Sequence, residues 1–327
     1  MPLLLSRSDL SRLATNDDEL DSAIDAVETS VTQCHSGDRA QTVFAGLDLA
    51  NGDELAAQLV SLASGPATLR VFPNRVKEAR PNASLGVQLD GTTGAVDSLI
   101  ALDDFNALRT SVPAAVGVRH LAPADAATLT VLGSGVQACS HVRTIRRVMP
   151  GLRHLRVWSP TRESRTAFGA GLRTQLGDDV HVSVAASIDE AVAGADVITA
   201  AGRYSFGESA VPDPEAVRPG ALLISMTGAG GNLLKRGARL AVPTTRRPEL
   251  VAFGFASGFI GDTPPPLPAD ALQLADVITG KVPARSSHTD TIVFELAMPF
   301  QWDVPILAWI RAWADKQRVG TAFNFSG

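Results

Sequence analysis

Cysteine and lysine are both scarce in this chain of 327 residues. Cys34 and Cys139 are the only thiols, too few for a disulfide framework and without metal-ligand spacing, so no metal is expected. Lysine occurs only at positions 77, 235, 281 and 316, leaving arginine to carry most of the positive charge. No apolar run approaches the length of a membrane span, and the opening MPLLLSRSDLSRLATNDDELDSA turns polar too soon for a secretory signal. A cytoplasmic protein is the expectation. Positive charge is not in excess either: the net charge of −5 gives no electrostatic case for nucleic acid or a membrane surface as a partner. Tyrosine appears once, as Tyr204, and no Asp or Glu occurs between Ser225 and Pro248. What remains is 45% hydrophobic, enough for two domains or one large α/β domain with an appendage.

The most informative stretch present is Ala127 to Ala138, ATLTVLGSGVQA. Thr128 to Leu132 is a β-branched, apolar run that reads as a buried strand. Gly133, Ser134 and Gly135 permit a tight turn, and a helix opening at Val136 and Gln137 aims its free N–H groups over that turn. Ala138 takes the third place of a G-x-G-x-x-G/A fingerprint, where a small residue lets helix and strand pack closely. The next strand, Leu155 to Trp158, follows at roughly the 20-residue offset expected of a dinucleotide fold. It ends in Ser159-Pro160-Thr161-Arg162 rather than in a carboxylate. Hydroxyls and a guanidinium favour a 2′-phosphate, which points to NADP(H), with NAD(H) the lesser alternative. The plainer reading of Arg162 is that it begins a solvated helix.

Before this stretch the pattern is mixed. A strand is expected at Leu3–Leu5, a short helix capped by Ser8, and a helix from Asp21 to Cys34 ended by Gly37. A strand at 43–47 and a helix at 53–62 precede strands at 67–72, 84–89 and 96–102, the last two joined by the turn Asp90-Gly91-Thr92-Thr93-Gly94. A helix over 102–121 should break or kink near Pro113. After Pro123 strands and helices alternate: strands at 127–132, 154–158, 180–184, 195–200 and 221–226, helices at 136–148, 161–175 and 187–193. The fold class is therefore α/β, with a Rossmann-type doubly wound parallel sheet domain beside an α+β part. Along the parallel strand ends, Ala200 with Gly202 and Met226 with Thr227 are placed beside a dinucleotide. Thr263 to Pro268 (TPPPLP) reads as an extended loop. A C-terminal helix over 304–316, preceded by Trp302 and carrying Trp309 and Trp313, reads as core or subunit interface rather than a cofactor box.

Several motifs together resemble the ornithine cyclodeaminase/μ-crystallin family. They are Phe72-Pro73 with Pro81, Asp90 to Gly94, Leu108-Arg109-Thr110, Gly133 to Ala138, Ala195 to Ile198, Leu274 to Arg285 and Thr291 to Phe294. The resemblance runs nearly the whole length. It implies a dimerisation and substrate domain, residues 1–115 plus 303–327, and a dinucleotide-binding Rossmann domain, residues 116–302. It also implies a homodimer acting on a small imino or amino acid-like molecule by hydride transfer, with Arg109 and Thr110 near cofactor and substrate. Two family features are missing. The carboxylate-binding lysine corresponds to Ala67, and the catalytic aspartate to Gly230. Arg70 is the nearest cation to the first gap, but strand alternation turns it away from 67 unless a bulge intervenes. Lys77, Glu78, Arg80, Tyr204 and Glu208 are further candidates to fill the gaps, Lys77 being the second catalytic candidate beside Arg109. His141 reads as structural.

Losing a general acid/base costs typically about 10²–10⁴ in rate. Ornithine cyclisation needs a base to free the amine before hydride leaves, whereas a protonated imine is already electrophilic. The sequence reading is thus an NADPH-dependent reductase of an imine (C=N) in a small amino-acid-derived metabolite, of the kind made in specialised biosynthesis. A conventional cyclodeaminase or amino-acid dehydrogenase, and a non-catalytic NADPH- or ligand-binding protein, stay open as alternatives.

Overall fold

A computed structural model of the chain describes residues 1–36, 41–50, 54–61, 65–74, 84–103, 105–202, 212–226, 228–243, 267–296 and 300–324. In chain order the first elements are β1 (Leu3–Leu5), α1 (Arg7–Thr15), α2 (Leu20–Ser36), β2 (Gln41–Asp48), β3 (Glu54–Ser61), β4 (Ala67–Asn74), β5 (Leu85–Leu89), β6 (Val96–Ala101) and α3 (Leu108–Leu121). There follow β7 (Thr128–Leu132), α4 (Val136–Val148), β8 (His154–Trp158), α5 (Arg162–Leu176), β9 (His181–Val184), α6 (Ile188–Val192), β10 (Val197–Ala200), β11 (Leu222–Ser225), α7 (Gly231–Lys235) and β12 (Arg239–Val242). The last are β13 (Leu272–Gln273), α8 (Leu274–Ile278), β14 (Ile292–Glu295), α9 (Phe300–Gln317) and β15 (Thr321–Ala322). The chain divides into two compact units, Met1–Arg109 with Pro299–Gly327, and Thr110–Met298. The division falls inside α3, between Arg109 and Thr110.

The first unit is built on a seven-stranded sheet in the order β15-β1-β6-β5-β4-β3-β2. β2 to β6 form an antiparallel meander, and β1 joins β6 in parallel. The helix expected at 53–62 is the strand β3. Its Glu, Leu, Ala and Gln favour helix, but Ala56, Gln58 and Val60 are buried while their neighbours are not, the period of a strand with one covered face. Pairing on both sides overrides the local propensity, and Asn51-Gly52 between β2 and β3 is the hairpin signal that composition obscured. On β4 the alternation holds: Thr68 and Arg70 are buried, while Ala67, Leu69 and Val71 are half-buried. The pairing of β4 runs unbroken, so no bulge turns Arg70 to the side of Ala67.

The helix-covered face of this sheet meets α9, which packs on β3, β4, β5 and α2. Trp302, Trp309 and Trp313 are all buried there, and Trp309 Nε1 donates to Ser22 Oγ at 2.9 Å. The cap of α1 is Ser6, not Ser8. Ser6 and Asp9 form a reciprocal capping box that satisfies two free helix N–H groups. α3 begins at Leu108, later than expected, and continues through Pro113 without ending. Gly37 and most of Thr263–Pro268 lie outside the described residues.

The second unit is an eight-stranded sheet in the order β13-β12-β14-β11-β10-β7-β8-β9, parallel throughout. β7, β10, β11 and β14 are largely apolar and buried along their length, as befits strands packed on both faces. Strand order reverses between β7 and β10, so the carboxyl ends of those two strands flank the crevice where such sheets take ligands.

Candidate functional site

At that reversal β7 runs into Gly133, whose φ of +135° is open to glycine alone. A Cβ there would lie 2.8 Å from the backbone nitrogen of Gly202, just past β10, so the turn and the strand end pack backbone to backbone. Gly135 is the N-cap of α4 and provides no side chain to its first N–H groups. A Cβ built on Gly135 meets nothing within 4 Å, and Val136 beside it is 76% exposed. The result is a three-turn helix whose free N–H groups face open space over a glycine turn, the cradle that a pyrophosphate requires. The residues present therefore fit a dinucleotide. Thr110 Oγ1 donates to Gln137 Oε1 at 2.6 Å, and Ser134 is half-buried in the turn.

Behind the turn, α3 and α4 are joined by hydroxyls: Ser111 and Ser140 share a hydrogen bond of 2.7 Å, and Thr144 Oγ1 donates to Ser111 O at 2.9 Å. His141 Nδ1 lies 2.7 Å from Thr199 Oγ1 with no exposure. Burial pushes the His141 pKa down to about 3, so the ring is neutral and structural.

Around the end of β8, Ser159 is buried and Thr161 is the N-cap of α5, its hydroxyl accepting from Ser164 N. Arg162 stands exposed at the first position of that helix. Arg165 reaches back to Ser159 O at 3.0 Å. A cavity of about 700 Å³ opens here, lined by Trp158, Pro160, Arg165, Ser187 and Asp213 among others. Ala200 is buried at the end of β10, Gly202 follows it, and Met226 is half-buried just past β11. Thr227, Lys77, Glu78, Arg80, Tyr204 and Glu208 lie outside the described residues.

Arg109 belongs to a polar cluster in the first unit. Its Nε donates to Asp303 Oδ1 at 2.7 Å, in a pair whose side chains are 13% and 2% exposed. Arg70 Nη2 donates to Asn106 Oδ1 at 2.7 Å, and its guanidinium carbon sits 4.3 Å from the centre of the Phe72 ring. Burial, then the neighbouring Arg109, push the Arg70 pKa down to about 9, with Asp303 opposing. Asp303 and Asn106 were missed by sequence reasoning. The signal available was an aspartate within an otherwise apolar helical run, Trp302-Asp303-Val304.

At position 230 the packing is close. A Cβ on Gly230 would lie 2.2 Å from Val293 Cγ1 and 3.1 Å from Leu223 Cδ2. A side chain at 230 would require Val293 to shift. In the register of Ser225 with Glu295, two residues past Val293, a carboxyl does occur: Ser225 Oγ donates to Glu295 Oε2 at 2.5 Å. Glu295 is fully buried at the carboxyl end of β14. It too was missed, although a lone acid closing the apolar run Thr291-Ile292-Val293-Phe294 was there to be read. Among the described residues no group of acidic, histidine and cysteine side chains could hold a metal ion.

With the geometry in place, comparison with known proteins fixes the kinship. The ornithine cyclodeaminase/mu-crystallin family model matches residues 16–316. The chain belongs to that family. It is 28% identical over 172 residues to the ketimine reductase mu-crystallin of Macropus fuliginosus, a match covering 53% of this chain and 49% of that protein. The chain thus spans about half the length of this relative. In fold it is similar to the Paracoccus denitrificans iminosuccinate reductase in complex with NAD+, with a TM-score of 0.79 at 19% identity over 99% of both chains. It is also similar to the Thermococcus litoralis Δ1-pyrroline-2-carboxylate reductase in complex with NADH and L-proline. That TM-score is 0.77 at 20% identity, over 98% of this chain and 100% of the other. The family and the Rossmann-type sheet expected from the motifs are both shown. No helix among the described residues is long and apolar enough to cross a membrane.

Proposed function

We propose that this protein is an NADPH-dependent reductase of a C=N bond in a small amino-acid-derived metabolite. The observation that carries the reading is the glycine turn at the α4 N-terminus, which fits a dinucleotide, together with a glycine packed against Val293 at position 230, where the resemblance implies the aspartate used in cyclodeamination. Dehydrogenation and cyclodeamination both start from an ammonium that must lose a proton. Reduction requires the imine nitrogen to be protonated, after which hydride adds to the electrophilic iminium carbon and gives the neutral amine. The names of the family relatives, ketimine reductase and iminosuccinate reductase among them, support the same class of chemistry.

In this reading the α4 N-terminus with Gly133, Ser134, Gly135, Val136 and Gln137 holds the pyrophosphate. Thr110 steadies the turn through Gln137. When bound, the nicotinamide supplies hydride to the imine carbon. Arg109, fixed by Asp303, orients the substrate. Glu295, which accepts a hydrogen bond from Ser225 Oγ, is the carboxyl group assigned to protonate the imine nitrogen before hydride transfer. The choice of NADP(H) over NAD(H) rests on β8 ending without a carboxylate, in Ser159, Thr161 and Arg162. Because the Thr161 hydroxyl is engaged as a helix cap, Arg162 is the freer donor for a 2′-phosphate.

The proposal includes a homodimer. Val43, Leu59, Leu69, Val87, Leu99 and Leu4 stand in one row across β2, β3, β4, β5, β6 and β1. Val43, Leu59 and Leu4 are 58%, 40% and 44% exposed. An apolar row of this length on the uncovered face of a sheet suits burial against a second copy. The pocket's two departures from family pattern fit a specialised biosynthetic substrate.

The test is NADPH and NADH oxidation by the intact protein with a panel of cyclic and linear imines. Turnover of at least one imine, faster with NADPH, is expected. Tight NADPH binding with no turnover of any imine would leave a ligand-binding protein instead.

A further inference from the structure

Two arginines stand at the start of α5, the end at which the dipole of a helix is positive. Arg162 is the first residue of the helix and Arg165 lies three further on, so both rise on one helix face, where like charges repel. Arg162 is exposed, whereas Arg165 is half-buried and returns to the end of β8. Its Nη1 donates to Ser159 O at 3.0 Å and to Pro160 O at 3.5 Å. Those bonds leave Nε and Nη2, an edge of the guanidinium that can hold two oxygens of one anion. The hydroxyls of the same segment are spent locally, Ser159 Oγ on Thr161 O and Thr161 Oγ1 on Ser164 Oγ. Arg165 also lines the cavity of about 700 Å³ at this end of the sheet. The acids lining it among the described residues are Asp189, on α6, and Asp213, ahead of β11.

We infer that Arg165 is the residue that selects the phosphorylated dinucleotide, its Nε and Nη2 taking the 2′-phosphate of the adenosine ribose, with Arg162 as an outer second cation. An arginine serving only the helix would be better placed in its last turn, where the dipole favours it. A phosphate bound at this point reverses both unfavourable features, because it meets the positive pole of α5 and offsets the repulsion between the two guanidiniums. The carbonyls of Ser159 and Pro160 fix the Arg165 side chain in advance, so little freedom is lost when the anion arrives. Asp189 and Asp213 repel a phosphate from their part of the cavity and so confine it to the part that Arg165 forms. Arg162 drew attention in the sequence because it directly closes Ser159-Pro160-Thr161-Arg162. Arg165 comes back to the same place only through a turn of helix. The inference rests on the dinucleotide reading of the site and is independent of the direction of hydride transfer.

Isothermal titration of the intact protein with adenosine 2′,5′-bisphosphate and with adenosine 5′-monophosphate isolates the 2′-phosphate from the rest of the cofactor. Charge-assisted hydrogen bonds predict that wild type binds the bisphosphate about tenfold to a hundredfold tighter. Arg165→Gln should bring the two nucleotides to similar affinity while keeping the wild-type circular dichroism. Arg165→Lys, which keeps the charge but loses the fork, should retain a reduced preference. Arg162→Gln should lower the preference less than Arg165→Gln does. Equal affinities in wild type, an undiminished preference in either Arg165 variant, or a larger loss in Arg162→Gln would overturn the assignment and leave the dinucleotide reading standing. A protein that binds neither nucleotide, and neither NADPH nor NADH, would remove the dinucleotide reading and the assignment with it.

Discussion

A methyl group at position 230 would press into Val293 and Leu223. Overpacking of this kind costs typically about 1–3 kcal/mol, so Gly230→Asp should lower the melting temperature by roughly 2–12 °C. It should bring no release of proline or ammonia from ornithine. A stable Gly230→Asp protein that gained ornithine turnover would contradict the assignment. The neighbouring carboxyl gives a second prediction. Glu295→Gln keeps an acceptor for Ser225 Oγ, so stability should hold, while loss of the proton donor should lower kcat for imine reduction about 10²-fold or more. An unchanged kcat, measured across pH, would reduce Glu295 to a packing role. The absence of an aspartate at 230 was legible in the sequence because it is a matter of residue identity. That a side chain there would meet Val293 was not, because Val293 lies far along the chain and reaches Gly230 only through the pairing of β14 with β11.

Among the elements, those with a strong local signal were the most legible. α4 and β8 begin and end where the sequence placed them, because a glycine turn, a helical apolar face and a β-branched run each have a near-neighbour signature. β3 was misread because its propensity and its partners disagree, and the partners prevail. The same strand carries the test of assembly. Leu59 lies in the middle of β3, on the uncovered face, and in register with Val43 and Leu69. Leu59→Lys places a charge in the proposed dimer contact and leaves the buried face of the sheet, with Ala56, Gln58 and Val60, untouched. Light scattering should then show the mass fall from dimer to monomer with secondary structure intact. A wild-type monomer, or a Leu59→Lys dimer, would place the contact elsewhere.

At the scale of the whole molecule, the fold class and the family were readable because they rest on motifs that are continuous in sequence. The dinucleotide turn is of this kind: Gly133 to Gln137 carries its own geometry, and the structure adds only that Gly202 backs it. The polar cluster is not. Arg70, Asn106, Arg109 and Asp303 come from β4, the approach to α3, α3 itself and α9, and no local spacing joins them. Sequence reasoning therefore named the residues of the glycine turn but not Asn106 or Asp303, whose partners lie on other elements. The central claim is that this protein reduces imines and does not cyclise ornithine. It is tested most directly by following NADPH absorbance with Δ1-pyrroline-2-carboxylate and, separately, release of proline and ammonia from ornithine in the presence of NADP+ or NAD+, at equal enzyme and substrate concentrations. The account predicts reduction of the cyclic imine to proline and no detectable signal from ornithine; ornithine turnover at or above the rate of imine reduction would contradict it.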